Sequence, residues 1–278
     1  MARYPVNGKI ALVTGGMRGI GFETAKLLHD RGASVVITDI DDDGVQRAVG
    51  QIGSDRTLGL VSDVRVEAAA QAAVEETVSR FGGLDLVVAN AGIAPHPPRT
   101  FLSMDPEDFD RVLDVDLNGV VRTVRAALPQ IVARSGHVVL ISSIYAFTNG
   151  VLMTPYAAAK AAVEQLGRAL RVELEHHGAS ATVAYFGFVD TDMVAEAYAN
   201  PVVEKLDDSI PRPLRKRISP ATAARGIVDG IERRAARVIL PRRWEPLRVL
   251  RGITGPASDE FIRHHRKLQP LLQDLDSP

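Results

Sequence analysis

The stretch TGGMRGIG (residues 14–21) overlaps the end of the apolar run KIALVTG (9–15) and leads into residues 20–30, which have helical spacing. Gly15, Gly19 and Gly21 therefore stand where a strand turns into a helix. Glycine at such a crossing tolerates positive φ and lets backbone N–H groups approach a pyrophosphate. The opening of the helix adds unpaired N–H donors and the positive end of its dipole. The spacing is G-x-x-x-G-x-G rather than the commoner G-x-G-x-x-G, and a glycine pattern alone is weak evidence. Here a strand precedes it, a helix follows it, and Asp39 lies eighteen residues beyond Gly21. Together these point to a dinucleotide cradle, and the P-loop lysine is absent.

The same rhythm continues outward from this turn. SVVITD (34–39), TLGLVSD (57–63), LDLVVANAG (84–92), GHVVLISS (136–143), SATVAYFG (180–187) and ARVILP (236–241) bring the apolar runs to seven. Continuous runs of this kind fit strands buried on both faces of a parallel sheet. Helical patterns such as 20–30 and 67–81 separate them, which gives right-handed βαβ crossovers. The sequence thus predicts one α/β, doubly wound (Rossmann-type) domain over residues 1–241, with a seven-stranded parallel sheet. Two segments break the rhythm. An insertion at about 189–220, rich in Asp, Pro and Arg, has the length of a substrate lid. A helical C-terminal tail, 242–278, is expected to set Trp244, Leu247, Leu250 and Ile253 on one face.

Composition narrows the function. A chain of 278 residues can bury a sizeable core, and its 46% hydrophobic and 24% charged content is that of a soluble protein. A net charge of −1 gives no global electrostatic case for a nucleic-acid partner. The absence of cysteine removes disulfides, thiolate nucleophiles and zinc–sulfur sites, and fits a reducing compartment. His176, His177, His264 and His265 form adjacent pairs without metal spacing, so no metal site is expected. No apolar run approaches the ~20 residues of a membrane span, and the N-terminus lacks a signal peptide's apolar region. A cytoplasmic protein is expected.

Further along, NAG (90–92), a serine at Ser143, and Tyr156-x-x-x-Lys160 follow the glycine turn in order. With that turn they resemble the short-chain dehydrogenase/reductase family over about residues 6–241. The resemblance implies an NAD(P)-dependent oxidoreductase that interconverts a secondary alcohol and its ketone by hydride transfer. The residues supply a chemical reason. In TPYAAAKAAVEQL (154–166) Thr154 reads as an N-cap and Pro155 as the first helical residue. Tyr156 and Lys160, four apart, then share a helix face. A free phenol titrates near ~10 and is a poor base, but a nearby ammonium favours phenolate. Tyr156 can then take a proton from an alcohol or give one to a carbonyl.

The resemblance assigns further roles. Lys160 would also hold the nicotinamide ribose, and Ser143, with Ser142 as the alternative, would hydrogen-bond the substrate oxygen. Asn118, in DVDLNGVVRTV, would anchor a water that links the lysine to solvent. Gly15, Gly19, Ile20 and Gly21 would line the cofactor, with Asp63 and Val64 at the adenine and Asn90, Ala91 and Gly92 at the centre of the sheet. Val189 and Thr191, beyond Gly187, would meet the carboxamide and phosphates. Phe186-Gly187 replaces the family's usual Pro-Gly and loses proline's fixed φ, while Gly187 still permits close approach.

Asp39 favours NAD over NADP, because a carboxylate at the end of the second strand can accept both ribose hydroxyls. A 2′-phosphate would meet Asp39 and then Asp41, Asp42 and Asp43, with no Lys or Arg before Arg47. Arg18, at a position where a basic residue often accompanies NADP in the family, would offset only part of this. It is expected to pair with Asp39 or lie against the adenine.

Tyr145, Phe147, Leu152, Met153, Met193 and Tyr198 would form an apolar wall for a hydrophobic alcohol or ketone, unless they simply pack in the core. An epimerase or dehydratase relative and a silent nucleotide-binding scaffold are competing readings. Intact Ser143, Tyr156, Lys160 and Asn118 weigh against the scaffold. Residues 231–251 hold seven arginines and two glutamates, so the tail could touch an anionic membrane, although packing on its own domain or on a neighbouring subunit is commoner. The family resemblance implies a homodimer or homotetramer built around the helices that carry Asn118 and Tyr156.

Overall fold

In the computed structural model, which describes residues 4–53, 55–199, 203, 210–266 and 268–276, seven strands form one sheet. They are β1 (Ile10–Thr14), β2 (Ser34–Asp39), β3 (Thr57–Val61), β4 (Leu86–Ala89), β5 (His137–Ser143), β6 (Ser180–Phe186) and β7 (Arg237–Leu240). The order is β3-β2-β1-β4-β5-β6-β7, and every pairing is parallel. This is the Rossmann-type α/β fold. The helices that return the chain are α1 (Gly19–Asp30), α2 (Asp42–Ile52), α3 (Glu67–Phe81), α4 (Pro106–Leu113), α5 (Val120–Ala133) and α6 (Thr154–Glu173). They are followed by α7 (Asp192–Tyr198), α8 (Arg212–Arg215) and α9 (Pro220–Glu232).

Strand alternation divides the core in two. Ala11, Val13, Val35 and Ile37 pack with Leu28 of α1, Val45 of α2 and Ile227 of α9. Leu12, Val36, Val87 and Leu140 pack on the other face with Val74 of α3, Ile131 of α5 and Val163 of α6. Because both faces are covered, the strands read as continuous apolar runs. The strand order reverses beside β1, where β4 takes the far side, and in such sheets ligands bind beyond the carboxyl ends at that reversal. The TGGMRGIG turn, the NAG stretch, Asp39 and Ser143 all leave the sheet at that end.

The insertion contains α7 and α8, and its two ends are pinned by a parallel bridge between Val189 and Ile218. Residues 200–202 and 204–209 of the expected lid lie outside the described residues. The tail departs from one amphipathic face. A 3₁₀ turn (Arg242–Trp244) leads into α10 (Glu245–Val249), α11 (Arg251–Arg263) and α12 (Leu268–Asp276). The helix breaks at Leu250, so Trp244 is buried and Leu247 packs beside it, while Leu250 and Ile253 are exposed. The tail docks on its own chain. Arg251 donates to both Glu164 oxygens at 2.9 and 3.0 Å, Asn149 donates to Asp259 at 2.9 Å, and Leu268 is buried. Among the described residues no helix is long and apolar enough to cross a membrane.

One buried base gives the fold a pH signature. His137 at the start of β5 is fully buried, with Nδ1 2.6 Å from Ser180 Oγ and Nε2 2.8 Å from Thr182 Oγ1. Burial, assisted by the charges of Arg234 and Arg171, pushes its pKa down to about 3. Below the ordinary histidine value the unfolded chain takes up a proton that the folded chain refuses. Stability should therefore fall as the pH drops from 6.5 towards 3, by up to about 1.4 kcal/mol per pH unit, and be insensitive to this group above 6.5. Urea titrations at stepped pH should show this slope in the wild type and its loss in His137→Gln.

Candidate active site

The glycine turn is built against the end of β4. Thr14 Oγ1 accepts the N–H groups of Asn90 and Ala91, both at 3.1 Å. Asn90 Nδ2 donates to the carbonyls of Thr14 (2.9 Å) and Gly15 (3.0 Å). A Cβ on Gly15, whose φ is +64°, would lie 2.9 Å from Ala91 Cα, and one on Gly21 would lie 2.1 Å from the Gly15 carbonyl oxygen. Gly19 has φ +59° and faces only the Thr191 methyl group, at 3.5 Å, across the crevice. No side chain caps the start of α1, and Ile20 packs its side chain on the core. Its first N–H groups are thus left for a ligand, and the cradle fits a dinucleotide phosphate.

Around this cradle the other predicted residues fall as follows. Asp39 accepts the N–H of Ile40 at 2.9 Å and that of Met17 at 3.4 Å, which holds its carboxylate between β2 and the glycine turn. Arg18 does not pair with Asp39. It reaches across to Asp192 at the start of α7, at 3.0 Å, in an exposed ion pair. Asp63 is engaged by Arg65, which donates to both carboxylate oxygens and holds the group below the usual carboxylate range. Val64 is buried and packs on Gly119. Val189 is buried, and the Thr191 N–H donates to its carbonyl at 2.9 Å. Phe186 in place of proline continues β6, paired with Ser143 on one side and Leu240 on the other. Gly187 is required by Trp244, since a Cβ there would lie 2.5 Å from the indole nitrogen.

Helix α6 begins at Thr154, which is itself helical and makes no capping bond, so the expected N-cap is corrected to Met153. Tyr156 and Lys160 share one face, with Lys160 Nζ 5.2 Å from the Tyr156 ring centroid. Tyr145 meets the Tyr156 ring edge-on at 6.0 Å. Ser143 Oγ accepts the Tyr145 N–H at 3.3 Å and donates to the Phe186 carbonyl at 3.5 Å, and it lines the same pocket as Tyr156. Ser142 is turned away from the pocket and donates to the Lys160 carbonyl at 2.9 Å, so Ser143 is the serine at the site.

Asn118 does not join this group. It is exposed on a π turn (Asp114–Gly119) and donates to Asp114 at 3.2 Å. Asp116, two residues earlier and not anticipated from the sequence, takes the buried place beside the lysine. Its Oδ2 lies 2.9 Å from Lys160 Nζ and its Oδ1 accepts the Ile93 N–H at 2.7 Å. Lys160 also donates to the Ile141 carbonyl at 3.3 Å. The signal for Asp116 was phase rather than residue type. Val112, Asp116, Val120 and Val124 recur every four residues and are all buried, and Asn118 is out of step with them.

Burial pushes the Asp116 carboxyl up, and Lys160 and the Ile93 N–H oppose this by favouring the carboxylate. Burial alone would pull the Lys160 ammonium down, but Asp116 and then Tyr156 outweigh it and hold Lys160 above the ordinary lysine range. Burial pushes the Tyr156 phenol up; Lys160 opposes this, Asp116 reinforces it, and the neighbouring Ser143 opposes it.

A strand-end crevice with a glycine cradle, and beside it a tyrosine, a buried lysine and a serine, defines a nucleotide-dependent oxidoreductase. Comparison with known proteins agrees. The short chain dehydrogenase family model matches residues 9–201, and the chain belongs to that family. It is 39% identical over 175 residues to secoisolariciresinol dehydrogenase of Forsythia intermedia, covering 62% of this chain and 63% of that enzyme. It is 38% identical over 190 residues to cis-4-hydroxycyclohexanecarboxylate dehydrogenase of Sinomonas cyclohexanicum, covering 67% and 76%. Among solved structures, 3-ketoacyl-(acyl-carrier-protein) reductase from Brucella melitensis complexed with NADH superposes with a TM-score of 0.74 at 30% identity, covering 84% of this chain and 97% of that one.

Because Asn118 lies on the solvent side of its turn, Asn118→Ala should leave stability and turnover within about twofold of wild type. Steady-state kinetics beside a urea melt check this.

Proposed function

We propose that this chain is an NAD-dependent dehydrogenase/reductase that interconverts an uncharged, ring-sized secondary alcohol and its ketone. The observation that carries this is the pocket beside Tyr156. It has a volume of about 130 Å³ and is lined by Ile144, Leu152, Met153, Phe188, Met193 and Tyr198, with Ser143 and Tyr156 at its polar end. Among the described residues no charged side chain lines it. An apolar cavity of about 150 Å³ takes a benzene ring, so this one suits a single six-membered ring. The Sinomonas relative is named for a ring alcohol that also bears a carboxylate. No described cation in the present pocket would meet such a group, which favours neutral rings.

Tyr156 and Ser143 carry the proton chemistry. When bound in the crevice, a nicotinamide supplies the hydride acceptor or donor. In oxidation the Tyr156 oxygen takes the hydroxyl proton, and in reduction it gives a proton to the ketone oxygen. Ser143 donates to that oxygen as its charge changes. Lys160 holds its positive charge close to the phenol and would hold a ribose hydroxyl. Gly15, Gly19 and Gly21 would cradle the phosphates, and Val189 and Thr191 would border the nicotinamide.

Asp39 supports NAD. A 2′-phosphate within ~4 Å of its carboxylate would lose about 4 kcal/mol per unit charge at an effective dielectric of ~20. Arg18 is paired with Asp192 instead of standing by to offset this. The complex of the Brucella reductase with NADH agrees with that preference.

Screening cyclohexanol, methylcyclohexanols and the matching ketones with each nicotinamide cofactor tests the proposal. Turnover with NAD and a neutral ring alcohol is expected, and activity confined to charged or linear substrates would refute it. Asp39→Ala should raise NADP-supported kcat/KM at least about tenfold relative to NAD; an unchanged ratio would remove Asp39 as the discriminator.

A further inference from the structure

Asp116 has a consequence for the direction in which the site works. The carboxylate is fully buried, with the Ile93 N–H on one oxygen and the Lys160 ammonium 2.9 Å from the other. A Cβ on Gly92 would lie 3.1 Å from Asp116 Oδ2 and 3.3 Å from Lys160 Nζ, so the backbone closes over the pair with no room to spare. The pair therefore stands as a preformed unit behind Tyr156.

The groups facing this unit can be named element by element. Helix α6 contributes Tyr156, and Glu164 a turn further on is taken by Arg251 and Arg168. β5 contributes Ser142, Ser143 and the Ile141 carbonyl, and the turn after it contributes Tyr145. The π turn contributes Asp114, whose charge is met by Arg122 of α5 at 2.8 Å. On α4, Arg111 pairs with Asp108 at 2.5 Å. Among the described residues Asp116 is thus the carboxylate that acts on Lys160 and Tyr156. An isolated ammonium would draw the Tyr156 proton off. With a carboxylate directly behind it, the phenol faces a dipole in place of a net charge.

We propose that Asp116 is a positioning residue that fixes Lys160 in an ion pair and keeps Tyr156 protonated through neutral pH. The site is thereby set as an acid for reducing a ketone, and it oxidises the alcohol effectively only towards alkaline pH. This rests on Tyr156 being the group that moves the proton. The upward push on the phenol from burial, to which Asp116 adds, runs the same way.

Asp116→Asn keeps the shape and an acceptor for Ile93 but removes the charge. In this variant the pH of half-maximal alcohol oxidation should fall by about one unit or more. A purely structural role would lower kcat without moving the profile, and an unmoved or raised profile overturns the proposal. A second readout needs neither substrate nor cofactor. Phenolate absorbance of each protein, minus that of its Tyr156→Phe counterpart, reports Tyr156 alone. Asp116→Asn should titrate below the wild type, and equal or higher titration overturns the proposal. If Asp116→Asn does not fold, the wild-type titration decides. Ionisation of Tyr156 at or above the ordinary phenol value of about 10 supports the ion pair as the controlling element, and ionisation below it overturns it. Full activity in Tyr156→Phe would remove the proton-transfer reading but leave this titration interpretable, so the two failures are distinguishable.

Discussion

Lys160 is an ammonium with almost no access to water, and a charge so placed persists only if the surrounding chain meets it. Two separate pieces of the chain do so. The π turn supplies Asp116, which the Ile93 N–H of the loop after β4 orients, and the end of β5 supplies the Ile141 carbonyl. Removing one member of such a pair commonly costs about 3–5 kcal/mol, because the other charge is left buried alone. The proton chemistry and the packing of these elements are thus one problem. Tyr156 inherits its setting from a contact that it does not itself make.

The sheet decides where this happens. All seven strands run the same way, so their carboxyl ends gather the glycine turn, Asp39, the Asn90 stretch and Ser143 along one edge. Gly15 and Gly21 admit no side chain there because the Asn90 loop and the turn's own carbonyl occupy the space. Across the crevice Thr191 and α7 face Gly19, and Arg18 ties α7 to the cradle through Asp192. The apolar pocket is lined by Tyr156 and Ser143.

Much of this was legible in the residues. The strands were readable because burial on both faces demands uninterrupted β-branched runs, and each run ends in the small or polar residues that the crevice needs. Tyr156 and Lys160 were readable because a four-residue interval fixes a shared helix face. Asn118 misled because its amide matched a familiar role by type. The periodicity of Val112, Val120 and Val124 pointed instead to Asp116, and a π turn at that point made the phase hard to follow. Arg18 misled because its preferred partner, Asp192, is 174 positions away in sequence. The tail's apolar face broke at Leu250, where a backbone turn separates α10 from α11.

The proposed activity depends on the Tyr156 oxygen moving the proton at the reacting carbon's oxygen. The direct measurement is single-turnover conversion of a neutral ring alcohol by Tyr156→Phe, run beside nicotinamide cofactor binding measured by fluorescence. Loss of the phenol oxygen should slow conversion by about 10²–10⁴-fold while cofactor affinity is retained. Conversion at the wild-type rate, with the cofactor bound normally, would contradict the account.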